Sequence, residues 1–465
     1  MSKVTILGAG YVGLPTAAHF ARQHEVTVYD PSEEKIHQVN DAIRGEGEIY
    51  IHEKGLLETV RSHRHNLTFT SDMAEAMRHP DFIFIAVGTP PDRHGRADLK
   101  YVHEAARQIG VHLNNDCIVL DKSTVPPGTA YMVEETIHRE LGDRGKSITV
   151  KVGSCPEFLA EGSAMENLRV PDRIVYGADE QDALDRIGDF FSYLHDENKL
   201  APMSTLSAEL TKYASNSMLA TRLSFMNELS VLCDAIGADI KEIERGIGKD
   251  SRISPKFLKA GFGYGGSCFG KDTSAIEQYA RLMGFELGVV GATIEANTRV
   301  VDSFFQKIEK QYGSLKGRVL ALWGVGFKAD TDDLRDSRAV ELLRRLVNAG
   351  AHVRVFDPVP GALMNLREEG IGSYTECEGQ YEVVSVECDG LIIGNESEMF
   401  RTPSREKLAS MRNKVIFDGK NVVPTPAVRE LVEAGFIYKS MGRDRLAQEM
   451  DKDKLVQFLK ETYMG

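Results

Sequence analysis

Residues 4–21, VTILGAGYVGLPTAAHFA, decide how the rest of the chain is read. A β-branched apolar run leads into Gly8, Gly10 and Gly13, which have G-x-G-x-x-G spacing, and a helix-forming stretch follows. In a strand–turn–helix unit the first glycine makes the tight turn and the second admits a pyrophosphate. The third lets helix and strand pack closely. Tyr11 and Val12 belong to the same turn, and the helix N-terminus turns its partial positive charge toward the phosphates. Asp30 closes the next apolar run, EVTVYD, where a carboxylate accepts from ribose hydroxyls. An acid there favours NAD over NADP, a preference that nearby Lys35 tempers. The alternative is a plain strand–helix turn with no ligand.

Outward from this motif, strand and helix alternate. KVTILGAG, EVTVYD, DFIFIAVGTP, CIVLDKST and SITVKVGSCPE read as strands, with helical stretches such as PSEEKIHQVNDAI and KYVHEAARQIGVHL among them. From about Ser204 to Ile236 the chain is helical without an internal proline or glycine, about 50 Å of helix at 1.5 Å per residue. Alternation then resumes with GRVLALWGVGFKADTDD, AHVRVFDP, CDGLIIGNES and NKVIFDGKN. The expected fold class is α/β: two doubly wound Rossmann-like domains joined by a long central helix. The expected divisions are 1–203 for the dinucleotide, 204–300 for the central helical region with a subunit contact and the catalytic loop, and 301–465 for a second ligand. The tail from Ser440 reads as a charged terminal helix.

Composition excludes several classes. A chain of 465 residues with a net charge of −13 lacks the basic surface that sequence-independent nucleic-acid binding needs. No apolar run approaches the ~20 residues of a membrane span, and glycines interrupt the N-terminal run that resembles a signal peptide. The cysteines at 117, 155, 233, 268, 377 and 388 form no Cys-x-x-Cys pair, as expected of reduced thiols in the cytoplasm. The His-rich stretches near RSHRHN and DRHGRAD lack ligand spacing, so no metal is expected.

A second motif, FLKAGFGYGGSCFGKDT at 257–273, sets Cys268 on a glycine-rich loop ahead of Lys271 and Asp272. Lys271 either favours the thiolate or contacts a cofactor phosphate, and Asp272 either orients a cation or acts as a base. The other cysteines read as small buried hydrophobes, with a reservation for Cys155 beside PEF. A hydride acceptor and a thiol together suit one chemistry: an aldehyde captured as a thiohemiacetal, oxidised to a thioester and released by water.

The ordered set GAGYVGLP, KSTVPPGT, PEFLAEGSA, PDRIVYG, AELTKYASNSMLATRLSFMNE, SRISPKFLKAGFGYGGSCFGKDT and GFKADTDDLRDS resembles the UDP-glucose/GDP-mannose dehydrogenase family over nearly the whole chain. The resemblance implies two successive NAD-dependent oxidations of a sugar nucleotide, turning a C6 alcohol into a carboxylate. UDP-glucose is the substrate it favours, with GDP-mannose or a UDP-N-acetylhexosamine as alternatives. Cys268 matches the catalytic cysteine, Lys212 and Asn216 the pair near the oxyanion, and Asp272 and Thr124 the groups around a catalytic water. Glu157 matches the residue for thioester hydrolysis and Glu161 a cofactor-side carboxylate; the alternative for either is a cap or turn carboxylate. Thr89, Thr124, Lys271 and Arg335 match NAD contacts. Phe158, Leu159, Phe257, Lys259, Gly261, Gly265, Phe327 and Lys328 join Glu157, Lys212 and Asn216 on the substrate side. Arg252 matches an arginine that reaches into a partner's site, so a homodimer or a higher homo-oligomer is implied, with the active site in the cleft between the halves.

Two positions depart from the family pattern: Gly270 stands where proline is frequent, and Cys155 where asparagine is common. Both bear on rate more than on reaction class. The remaining rivals are a two-electron dehydrogenase with a structural Cys268 and a catalytically silent NAD-binding protein.

Overall fold

A computed structural model describes residues 1–51, 53–384, 387–444 and 452–463. The first sheet has eight strands: β1 (Lys3–Leu7), β2 (Glu25–Tyr29), β3 (Leu67–Thr70), β4 (Phe82–Ile85), β5 (Cys117–Asp121), β6 (Val150–Ser154), β7 (Ile174–Gly177) and β8 (Leu200–Met203). Their order is β3-β2-β1-β4-β5-β6-β7-β8. Every pairing is parallel except β6 with β7, which meet antiparallel at Ser154 and Gly177. Six strands form the second sheet: β9 (Val319–Trp323), β10 (His352–Phe356), β11 (Tyr374–Glu376), β12 (Gly390–Ile393), β13 (Val415–Asp418) and β14 (Ile437–Ser440). It is parallel throughout, in the order β11-β10-β9-β12-β13-β14. Both sheets therefore reverse direction beside their first strand, the doubly wound arrangement that places ligands outside the strand C-termini.

Period-2 alternation explains why the central strands read as unbroken apolar runs. On one face of the first sheet Val4, Ile6, Phe82, Phe84, Ile118 and Leu120 pack with Phe20 and Phe190. On the other, Leu7, Ile83, Ile85 and Val119 pack with Val102, Ile109, Val133 and Ile137. In the second sheet Leu320, Leu322, Val353 and Val355 face one core, and Ala321, Trp323, Leu391 and Ile393 the other.

The chain forms two compact units, Met1–Ser215 with Ser274–Gly284 and Asn216–Thr273 with Phe285–Gly465. The long helix is Thr205–Ile236, as its periodicity predicts, and it begins in the first unit and ends in the second. No helix among the described residues is long and apolar enough to cross a membrane. The terminal helix is present over Lys452–Tyr463, while residues 445–451 and 464–465 lie outside the described residues.

Candidate active site

The glycine turn of the first unit shows what each glycine is for. Gly8 has φ +108°, and a Cβ on it would lie 2.5 Å from the Ala86 carbonyl oxygen. A Cβ on Gly13 would lie 1.8 Å from the Gly8 carbonyl oxygen, because the helix Gly13–Phe20 starts directly against the strand. A Cβ on Gly10 would meet no protein atom within 4 Å. Turn and packing thus consume the outer two glycines, and the middle one keeps the backbone open to a pyrophosphate, which is the fit NAD requires. Asp30 accepts from Ala9 N–H at 3.0 Å and Ser32 N–H at 3.0 Å, and Lys35 stands 3.5 Å away. The acid thus braces the turn, in addition to the ribose contact expected of it from sequence. Tyr50, not singled out from sequence, donates its hydroxyl to the Ala9 carbonyl. Tyr11 is exposed on the rim of the turn and Val12 half-buried.

Thr89 donates to the Thr124 carbonyl at 2.9 Å, joining two of the expected cofactor-side residues. Glu157 and Lys212 form a buried ion pair, with Nζ 2.8 Å from Oε1. The Leu159 N–H donates to the other carboxylate oxygen. Burial pushes the Glu157 carboxyl up, but Lys212 by charge and hydrogen bond, the Leu159 amide and Lys122 outweigh it and hold the group below the usual range. Glu157 is therefore a carboxylate at neutral pH. The Phe158 ring lies under two cations, the Arg173 guanidinium at 3.7 Å and the Lys212 ammonium at 5.5 Å. A cavity of about 100 Å³ beside Glu157 is lined by Lys122, Cys155, Phe158, Arg173 and His195 among others. Glu161 follows on the same loop, which Glu53 anchors by accepting from Gly162 N–H at 2.6 Å and Ala164 N–H at 3.0 Å. Glu53 and Lys122 escaped sequence reasoning, since a single buried charge leaves no periodic signal.

In the second unit Cys268 immediately precedes the helix Phe269–Leu282, the position at which a helix favours negative charge. It is half-buried, with Ser267 Oγ 3.6 Å from Sγ. One turn on, Asp272 is 1% exposed. Its Oδ1 accepts from Lys271 Nζ at 2.5 Å and its Oδ2 from Asn216 Nδ2 at 2.6 Å. Of the alternatives left open by sequence, Lys271 and Asp272 thus engage each other. Asn216 lies one turn beyond Lys212 on the long helix.

The glycine loop ahead of Cys268 is clamped by polar side chains. Asn227 accepts from Gly261 N–H at 2.9 Å, Asn297 accepts from Tyr264 N–H at 2.8 Å, and Lys420 Nζ donates to the Gly263 carbonyl at 2.9 Å. Gly261 is thus packed against its own chain, its amide taken by Asn227 and a Cβ on it only 3.1 Å from the Gly419 carbonyl oxygen. At Gly265 a Cβ would lie 2.2 Å from the Asp336 carbonyl oxygen, and at Gly270 2.4 Å from Asp336 Oδ2. The glycine that departs from the family pattern is thus the residue that makes room for the Asp336 carboxylate. Phe257 adopts φ +59°, with its ring 6.1 Å from that of Phe269. Lys259 is exposed, Lys328 lies 5.3 Å over the Phe327 ring, and Arg335 pairs with Asp333. Arg252 pairs with Asp250, its side chain 88% exposed.

An open dinucleotide turn in the first unit and a thiol heading a helix in the second are what a thiol-dependent dehydrogenase requires. The chain belongs to the UDP-glucose/GDP-mannose dehydrogenase family: that family's NAD binding domain matches residues 2–195, its central domain 206–299 and its UDP binding domain 321–425. It is an NAD-dependent dehydrogenase with a sugar nucleotide as its class of substrate. It is 39% identical over 452 residues to the UDP-glucose 6-dehydrogenase of Pseudomonas aeruginosa, a match covering 95% of this chain and 98% of that one. With the UDP-glucose 6-dehydrogenase TuaD of Bacillus subtilis it shares 36% identity over 462 residues, covering 98% and 96%. Among solved structures, a UDP-glucose dehydrogenase from the hyperthermophilic archaeon Pyrobaculum islandicum superposes with a TM-score of 0.83 at 35% identity, covering 91% of this chain and 95% of that one.

Proposed function

We propose that the protein oxidises the C6 alcohol of UDP-glucose to the carboxylate of UDP-glucuronate, through a thiohemiacetal and a thioester on Cys268. NAD, when bound at the Gly8–Gly13 turn with Asp30 at its ribose, accepts a hydride in each of the two oxidations. The chain's own groups do the rest. Asp272, with water, takes the C6 hydroxyl proton in the first oxidation. Cys268 Sγ then bonds to C6 of the aldehyde as its thiol proton passes to the C6 oxygen, and Lys212 and Asn216 stabilise the negative charge that develops there. The second oxidation removes that hydroxyl proton together with the hydride. After the second oxidation, water held near Thr124 and Asp272 adds to the thioester carbon. Glu157 takes a proton from that water, the C–S bond breaks, and Cys268 recovers its thiol.

The observation that carries this reading is Asp272: buried, one turn from Cys268 and fixed by Asn216 and Lys271. A merely structural Cys268 gives no reason to bury a carboxylate there. UDP-glucose is preferred to GDP-mannose and to a UDP-N-acetylhexosamine because the relatives that match over nearly full length are UDP-glucose 6-dehydrogenases. The reading includes a homodimer or higher homo-oligomer.

The test is the NADH formed per UDP-glucose consumed, with UDP-glucose limiting. About two NADH per sugar, one for each hydride, is expected. About one would mean that oxidation stops at the aldehyde and would remove the role of Cys268. None would move the substrate to one of the alternatives.

A further inference from the structure

Glu209 lies on the helix Thr205–Ile236 one turn before Lys212, 2% exposed, and no step above uses it. Its Oε2 accepts from Gly128 N–H at 2.6 Å and its Oε1 from Ala130 N–H at 2.8 Å. These amides form the open end of the helix Thr129–Asp143, whose N-cap, Gly128, has no side chain with which to cap it. The lysine-bearing helix thus supplies the missing cap, as a carboxylate that complements the helix's partial charge. The segment leading into the capped helix, Lys122–Gly128, carries Thr124.

We propose that Glu209 is a positioning residue that locks the Lys212 turn of the long helix to the segment carrying Thr124. The inference rests on the reaction proposed above, in which Lys212 and Thr124 act together.

The lock sits among acids. Asp121 at the end of β5, Asp179 after β7 and Tyr131 on the capped helix are the titratable groups facing it. Asp121 Oδ2 has no hydrogen-bond partner, and burial pushes that carboxyl well above its usual range. Burial also pushes Glu209 up; the two amides oppose this, Asp179 adds to it, and the group comes to about 7. Above that pH Glu209 is a charged clamp on both amides. As pH falls through it the carboxyl takes a proton and the clamp weakens.

The experiment follows kcat and the KM for NAD in the full chain from about pH 6 to pH 9, for the wild type, Glu209→Gln and Glu209→Asp. In the wild type kcat should fall as pH drops through neutrality. Glu209→Gln should lose that acid limb and lower kcat roughly ten- to a hundredfold at alkaline pH, with the KM for NAD unchanged. A Gln profile superimposable on the wild type overturns the proposal. Should the Gln variant fail to fold, Glu209→Asp should keep an acid limb with reduced kcat, and wild-type kcat in that variant overturns the proposal equally.

A wild type silent on UDP-glucose would end the substrate reading but not this test. Hydrogen exchange of the substrate-free protein should then still be faster across residues 122–134 in Glu209→Gln than in the wild type. Unchanged exchange there overturns the lock.

Discussion

Asp272 takes one hydrogen bond from Lys271 and one from Asn216, so each oxygen keeps a lone pair for a water or a hydroxyl proton. Asp272→Asn keeps the shape and removes the proposed base. It should lower kcat about 10²–10⁴-fold, with the KM for NAD little changed. Cys268→Ser tests the other half of the chemistry. It should still bind NAD and the sugar nucleotide but release no acid, so the NADH formed per UDP-glucose consumed should drop from about two toward one. Steady UDP-glucuronate formation by that variant, followed by chromatography, would remove the thiol from the mechanism. His19 belongs to the same scale. It is buried with its Nε2 3.1 Å from that of His195, and burial, then His195, Arg22 and Lys122, pull it down to about 3 from an ordinary 6.5. Between those values the unfolded chain binds the proton that the folded one refuses, so stability falls as pH drops from about 6.5 toward 3. His19→Gln should move the midpoint of acid unfolding, followed by circular dichroism, to lower pH.

At the level of elements, the two sheets repeat one device with opposite results. Asp357, after β10, accepts from Val325 N–H at 2.8 Å and Gly326 N–H at 3.2 Å, the bracing role Asp30 has after β2. Yet a Cβ on Gly326 would lie 2.8 Å from the Thr331 carbonyl oxygen, whereas one on Gly10 meets nothing. The second turn is filled by its own chain. Gly10→Ala should therefore fold with wild-type melting behaviour but bind NAD weakly, as read by fluorescence titration, whereas Gly13→Ala should not fold. Unimpaired NAD affinity in Gly10→Ala would displace the cofactor from this turn. The first turn, the central strands and the long helix were legible because each leaves a local pattern. Strands β3, β7, β8, β11 and β14 were not; β7 is a four-residue internal strand that meets β6 antiparallel through a single residue pair, and the other four are sheet edges. An edge strand is only partly covered, so LTFT, LAPM, YTE and IYKS need no apolar run, and Pro202 is tolerated in β8. The site divides in the same way. Cys268, Lys212 and Asp272 stand in motifs, whereas Glu53, Glu209, Asn227 and Asn297 act on backbone groups far away in sequence, and nothing local marks them.

At the scale of the whole molecule, the long helix carries an apolar stripe that nothing among the described residues covers. Leu206, Leu210, Met218, Phe225 and Leu232 are all exposed, and at 100° per residue they fall within about a third of its circumference. Such a stripe on a helix of this length suits a second copy of the chain. If the proposed oligomer pairs through this stripe, Phe225→Glu should shift the sedimenting species toward monomer, and an unchanged coefficient would exclude the stripe as its contact. The filled turn after β9 has a kinetic consequence. With a single open dinucleotide turn per chain among the described residues, the proposed reaction sends both electron pairs from one sugar out through the same door. In that reaction the enzyme discharges and reloads between its two half-reactions while the half-oxidised sugar waits. The Cys268 of the proposed mechanism is then a mooring as much as a nucleophile: a bond from it to C6 would keep a reactive aldehyde from drifting into solution during the exchange.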